Sequence, residues 1–173
     1  MESYNFISKQ GKEFSIKKAT IIDIQGISNL IQENFRSYKT MDGERLEKYL
    51  SVNSTQNILK KQFDNPNVTI LLAEMEGEIA ALLSYEFKVD ELYVQKAHSQ
   101  KKYHNEGLIT ELFRLALEDC KLREVEIIKV HATKEAVEKV LRIGEKYPLK
   151  VENIEHNHKP PLNYSIIYRS IQK

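Results

Sequence analysis

The stretch from Glu91 to His131 leaves this chain few ways to fold. It opens on a strand ending Leu92-Tyr93-Val94, passes through a polar loop with a single Gly107, and continues as a run in which Ile109, Leu112, Phe113, Ala116, Leu117 and Cys120 recur at i, i+3, i+4, i+7, i+8 and i+11. That spacing lines one face of a helix with apolar groups and puts its start between Glu106 and Leu108. Val125 to His131 follows as a second strand. A strand, a helix of this length and another strand make a right-handed crossover, so the two strands are expected to run parallel. The loop then meets a helix N-terminus, where backbone N–H donors can hold an anion. Glu106 is the one acid read as standing beside it.

Around this unit the pattern is mixed. Phe14 to Ala19 alternates as a half-buried strand, and Thr20, with Asp23 three residues on, caps a helix bearing Ile24, Ile27, Ile31 and Phe35. A less regular stretch from Ser37 to Asn65 holds Leu46-Glu47-Lys48-Tyr49-Leu50 and a helix read as capped by Ser54, with Ile58, Leu59 and Phe63. Val68–Ala73 and Ile79–Phe87, joined by Met75-Glu76-Gly77-Glu78, form an antiparallel hairpin. A strand from Val89 to Val94 comes next. Thr133 caps a last helix with Ala136, Val137, Val140, Leu141 and Gly144, and strands around Leu149–Ile154 and Tyr164–Ile171 close the chain across His158-Lys159-Pro160-Pro161. The expected fold is a single α+β domain over residues 1–173, with residues 1–13 as an N-terminal extension. Its mixed, mostly antiparallel sheet has about seven strands, one parallel pair and about four helices.

Composition narrows the function classes. The 173 residues suit one domain with a full core, and 41% hydrophobic with 29% charged residues is a soluble globular balance. Lysine and arginine number 26 against 25 aspartates and glutamates, so no overall field attracts nucleic acid or an anionic membrane. No apolar run approaches the ~20 residues of a membrane span and Met1 to Phe6 carries no secretory pattern, which makes a cytoplasmic location the expectation. The lone Cys120 sits on the apolar helix face, as an inert packed thiol. His156 and His158, two apart with only Glu155 nearby, lack a structural-zinc ligand set, and no metal is expected. His131 ends a strand, where a satisfied polar side chain is the ordinary explanation.

The order of these pieces resembles the GNAT superfamily of N-acetyltransferases. The residues that carry the likeness are Ile16-Lys17-Lys18-Ala19-Thr20 with Asp23, Leu46 to Leu50, Leu72-Ala73-Glu74-Met75-Glu76-Gly77-Glu78-Ile79, Leu92-Tyr93-Val94, and Gly107 with Leu112-Phe113. The resemblance implies a sheet splayed at its parallel pair, with the pantetheine arm of acetyl-CoA lying in the slot like an added strand. It also implies a diphosphate at the helix N-terminus and a strand N–H near Leu92 to Val94 as oxyanion donor. The implied cofactor contacts are Leu92, Tyr93, Val94, Lys102, His104, Asn105, Gly107 and Leu108. Acetyl-CoA is the implied co-substrate, and the partner is a small-molecule or peptide amine, with no nucleic acid or membrane partner and a monomer or homodimer as the assembly.

The chain departs from the family pattern at two places. Its phosphate loop holds His104, Gly107 and Ile109 where the family has Arg or Gln, Gly, and Gly or Ala, and the loop back to Val94 is about four residues longer. Glu106 would repel a diphosphate, with Lys101, Lys102 and His104, or else Gln100, as counterweights. Val140 stands where many members carry a tyrosine that protonates the departing thiolate, leaving Tyr147 and Tyr93 as the nearest substitutes. A base is needed to deprotonate an amine, and Asp90 and Glu91 are the carboxylates on the strand flanking the thioester; alternation lets only one of them face the slot. The expected activity is acetyl transfer by direct attack of a primary amine in a ternary complex. Two alternatives stand beside it: a degenerate CoA-binding or interaction module of the same fold, and an RNA- or nucleotide-binding domain using Lys101, Lys102, Tyr103 and His104.

Overall fold

A computed structural model describes residues 3–37, 43–156 and 164–170. Among these are eight strands: β1 (Tyr4–Ile7), β2 (Glu13–Lys18), β3 (Val68–Met75), β4 (Glu78–Phe87), β5 (Glu91–Ser99), β6 (Ile127–Ala132), β7 (Leu149–His156) and β8 (Tyr164–Ser170). Five α-helices accompany them: α1 (Ile24–Arg36), α2 (Gly43–Asn53), α3 (Gln56–Phe63), α4 (Leu108–Leu122) and α5 (Val137–Gly144). The strands hydrogen-bond in the order β1-β2-β3-β4-β5-β6-β8-β7, and β5–β6 is the parallel pair. This is the mixed α+β arrangement expected from the sequence, with one strand more, because β1 lies inside the segment taken as an extension, and one helix more, because Leu46 to Leu50 belong to α2.

The contacts divide the chain into two compact units, residues 1–84 with 97–113, and residues 85–96 with 114–173. In the first, β1 and β2 form a hairpin running from Tyr4↔Ile16 to Ile7↔Glu13, and β2 pairs antiparallel with β3. Phe14 and Ile16 are fully buried while Glu13 is exposed and Ser15 and Lys17 are half-buried, the alternation of a strand covered on one face. Helices α1 to α3 bury Ile24, Ile27, Ile31, Phe35, Leu50 and Leu59 against Val68, Ile70, Leu72 and Leu82. The Asp23 carboxylate accepts the Thr20 N–H at 2.7 Å, which starts the turn into α1. The cap of α3 is Thr55 rather than Ser54, whose hydroxyl donates back to the Leu50 carbonyl at 2.8 Å. Glu76 and Gly77, with φ of 52° and 79°, form the tight β3–β4 turn.

The second unit holds the parallel pair, registered from Glu91↔Ile127 to Val94↔Val130, with β6–β8 and β7–β8 antiparallel. Leu92, Val94, Ile128, Val130, Ile166 and Tyr168 are buried. The Tyr168 hydroxyl donates to the Val140 carbonyl of α5 at 3.0 Å, and a Cβ on Gly144 would stand 2.5 Å from the Tyr168 ring. Glycine is required there by close approach. Tyr85 donates to Asp119 of α4 at 2.5 Å, and the Arg123 guanidinium lies 4.1 Å from the Phe87 ring centroid. Burial pushes the Cys120 thiol up to about 12, which keeps it protonated and unreactive.

Candidate functional site

In the first unit the loop from Gln100 to Gly107 leads into α4. It is shorter than the sequence suggests, because β5 runs on to Ser99 instead of ending at Val94. The loop is tied down along its length. Gln100 donates its amide to the Ile79 carbonyl at 2.8 Å and to Glu78 at 3.0 Å, and Lys102 ion-pairs with Glu78. The Tyr103 ring meets Phe14 edge-on at 5.5 Å. Asn105 and Gly107 adopt φ of 70° and 85°, the left-handed region that asparagine and glycine tolerate best. Nothing lies within 4 Å of a Cβ built on Gly107, so the backbone conformation, rather than space, calls for glycine.

Glu106 differs most from expectation. Only 1% exposed, it accepts hydrogen bonds from Ser8 Oγ at 2.7 Å and Lys12 Nζ at 2.5 Å, both from the β1–β2 turn. The Lys12 hydrogen bond, followed by that of Ser8, holds its carboxyl below the usual range. Its charge is therefore matched within the protein, which removes the repulsion of an anion expected from sequence. A second acid, Glu111, stands in the first turn of α4 and accepts the Tyr4 hydroxyl at 2.6 Å. The N-terminal hairpin thus holds both acids near the start of α4. Of the loop's predicted contacts, Lys102 is engaged by Glu78, His104 and Asn105 are exposed, and Leu108 is a core side chain.

In the second unit the β5–β6 register stops at Val94↔Val130, although β5 continues to Ser99 and β6 to Ala132. β6 stays paired with β8 through Ala132↔Tyr164. The two strands therefore part on one side only, leaving the first residues past the register at Gln95 and Lys96 on β5 and at His131 and Ala132 on β6. Leu92 to Val94, where the resemblance implies an oxyanion donor, lie within the registered β5–β6 ladder. Leu92 and Val94 turn their side chains into the core, so they offer a ligand only backbone.

The opposite, half-exposed face carries Glu91, Tyr93 and Gln95 on β5 with Lys129 and His131 on β6. Tyr93 and His131 have ring centroids 4.8 Å apart, and the Lys88 ammonium lies 4.3 Å from the Tyr93 centroid. His131 Nε2 is 3.3 Å from Ser165 Oγ, and Gln95 donates to Glu86 at 2.9 Å. Burial, then the charges of Glu91 and Glu86, raises the Tyr93 phenol, which remains protonated. Burial, then Lys129 and Lys88, lowers the His131 imidazolium, with Glu155 and Glu91 opposing, so the ring is neutral at pH 7. Burial also lowers the Lys96 ammonium to about 8.

The carboxylates named from sequence lie elsewhere on this face. Asp90 is not on the strand; it is exposed in the turn before β5. Glu91 opens β5 opposite Ile127, about 10 Å along the strand from the last registered pair. Tyr147 sits in the turn after α5, just before the Leu149↔Ser170 pair, at the Glu91 end of the sheet. All three are toward the closed end. Lys12 and Lys96 were given no role from the sequence, while His131 was read as a satisfied strand-end side chain and Thr133 as a helix cap. Thr133, at the end of β6, has a buried hydroxyl with no hydrogen-bond partner among the described residues.

Among the described residues no group of three or more His, Cys, Asp or Glu is placed to hold a metal, and no helix is long and apolar enough to cross a membrane. His156 packs against Tyr164 at 5.0 Å, while His158 lies outside the described residues.

No family model and no curated protein matches the sequence. Solved structures do match. The PaiA N-acetyltransferase of Thermoplasma acidophilum, in complex with coenzyme A, superposes with a TM-score of 0.75 at 12% identity over 92% of this chain and 99% of that one. A GCN5-related N-acetyltransferase from Rhodopseudomonas palustris gives 0.69 at 15% identity over 90% and 94%. The ribosomal-protein-alanine N-acetyltransferase of Brucella melitensis gives 0.63 at 13% identity over 91% and 99%. At these identities the likeness is one of fold.

Proposed function

We propose, from the GNAT fold as premise, that this chain is an acetyl-CoA-dependent N-acetyltransferase acting on a primary amine by direct attack. The observation that carries the reading is the parting of a parallel pair past Val94↔Val130 while both strands continue. Backbone groups along parting strands need partners, and the amides of a pantetheine arm supply them in the manner of an added strand. The Thr133 hydroxyl, buried beyond the end of β6, is a further hydrogen-bonding group for that arm. The left-handed residues Asn105 and Gly107 turn the loop into the first turn of α4, whose N–H groups suit a diphosphate. Lys101 and His104, both exposed on that loop, are its proposed cationic and polar contacts.

The test is release of thiol from acetyl-CoA over a panel of primary amines. Amine-dependent release supports the enzyme. A second reading, a CoA binder without turnover, is favoured by Val140, an apolar residue where a thiolate-protonating tyrosine would be expected. Binding of acetyl-CoA with no release across the panel would select it. Competition by RNA oligonucleotides without acetyl-CoA binding would select the nucleic-acid reading, against which the pairing of Lys102 with Glu78 and of Tyr103 with Phe14 already weighs.

A further inference from the structure

We infer that His131 is the catalytic base of the transfer step, accepting the proton of the attacking amine at its Nδ1; this rests on the acetyltransferase reading above. His131 is the first β6 residue past the last registered β5 pair, and it lies on the half-exposed face of the sheet. Its ring is fixed on two sides. Tyr93 packs against it at 4.8 Å between centroids, and Ser165, 1% exposed and directly opposite on β8, lies 3.3 Å from Nε2. In the tautomer whose Nε2–H donates to Ser165 Oγ, Nδ1 carries the lone pair. Nδ1 has no hydrogen-bond partner among the described residues.

The surrounding charges suit a base at neutral pH. Lys129 on β6 and Lys88 from the β4–β5 turn disfavour the imidazolium, and Glu155 on β7 and Glu91 on β5 offset them in part. Tyr93 stays a neutral phenol. The ring is thus mostly unprotonated at pH 7 and can still take a proton, the condition for general-base catalysis. Glu91, Asp90 and Tyr147 lie toward the closed end of the same sheet, away from where the strands part.

In the step itself the amine nitrogen attacks the thioester carbonyl carbon and a C–N bond forms. The nitrogen's proton passes to Nδ1, the C–S bond breaks, and CoA leaves as a thiolate. That thiolate takes the proton from the imidazolium, directly or relayed through a water that is itself reprotonated by the imidazolium, giving amide and free thiol with the imidazole restored.

The experiment compares wild type with His131→Gln. Thiol release is followed against pH with weakly basic hydrazide acceptors, which stay neutral across the range, and acetyl-CoA binding to both proteins is measured by calorimetry. Wild-type kcat should fall on the acid side with an apparent pKa below the ordinary 6.5 of histidine. His131→Gln should lose that limb and ~10²-fold or more in kcat, with acetyl-CoA affinity unchanged. Added imidazole should restore part of the rate to His131→Ala, an effect a structural role does not give. Should the glutamine variant not fold, Ser165→Ala, which frees the ring from its partner, should displace the acid limb.

An unchanged limb and kcat in His131→Gln, or an undisplaced limb in a folded Ser165→Ala, overturns the assignment. So does a wild type that binds acetyl-CoA yet releases no thiol with any acceptor. Wild type that fails to bind acetyl-CoA overturns the acetyltransferase reading and this inference together, and the calorimetry separates that case from the others.

Discussion

Lys12 and Glu106, 94 residues apart in the chain, form an ion pair of 2.5 Å whose acid is 1% exposed and whose lysine is 37% exposed. With Ser8 as a second donor, this pair fastens the turn of the N-terminal hairpin to the residue before Gly107. A buried carboxylate depends on its partners far more than a surface one does.

Removing one half of such a pair costs more than removing both. Lys12→Met should therefore lower the thermal midpoint more than the Lys12→Met/Glu106→Gln double variant. Since the Glu106 carboxyl is held below its ordinary 4.5, the stabilisation it gives is present above that value and is lost as pH falls through the lower folded-state value. The acid side of the wild-type stability curve should thus be steeper than that of Lys12→Met. Thermal unfolding of the three proteins from neutral to acid pH checks both orders, and equal midpoints would remove the clamp.

Gly107 should tolerate asparagine better than alanine. At φ of 85° an ordinary side chain is strained by about 1–2 kcal/mol, which asparagine partly avoids. No atom within 4 Å opposes the added Cβ, so the whole cost is conformational. Chemical unfolding should rank the variants wild type, Gly107→Asn, Gly107→Ala. Gly107→Pro should also weaken acetyl-CoA binding, because it forbids positive φ and deletes a donor.

Gly144→Ala tests packing at α5. Its Cβ would meet the Tyr168 ring at 2.5 Å, and overpacking of this kind costs about 1–3 kcal/mol. Pairing it with Tyr168→Leu, which clears the ring, should recover part of the loss in a double-mutant cycle. Strict additivity would contradict the contact.

Lys96 should be a stability liability. Burial lowers its ammonium to about 8 from 10.5, so the folded state favours the neutral amine. The penalty is absent above the unfolded value, grows as pH falls from 10.5 toward 8, and is constant below. Lys96→Met should gain up to about 3 kcal/mol at pH 7, on the scale of about 1.4 kcal/mol per pKa unit, and little above pH 10.5. Urea unfolding at the two pH values reads the difference.

Most of the architecture was legible because its signals are local. The spacing from Ile109 to Cys120 gives α4, the alternation of Phe14 and Ile16 gives β2, and Glu76-Gly77 gives the β3–β4 turn. The end of β5 was not legible, since the polar run Gln95 to Ser99 looks like a loop although it pairs as a strand. Partnerships across long separations left no trace either: Lys12 with Glu106, and His131 with Ser165. Distance along the strand also hid the difference between Glu91 and His131. Alternation puts both on one face, but only the register tells which end of the pair opens.

Calorimetric titration with acetyl-CoA, alongside thermal unfolding at saturating ligand, decides whether this fold holds acetyl-CoA. A ligand that binds only the folded state must raise the midpoint, by an amount equivalent to about 2.7 kcal/mol at a hundred times Kd. A saturable heat with one site per chain and an upward shift are expected, both weakened in Gly107→Pro. No heat and no shift with folded wild-type protein would contradict the acetyl-CoA reading.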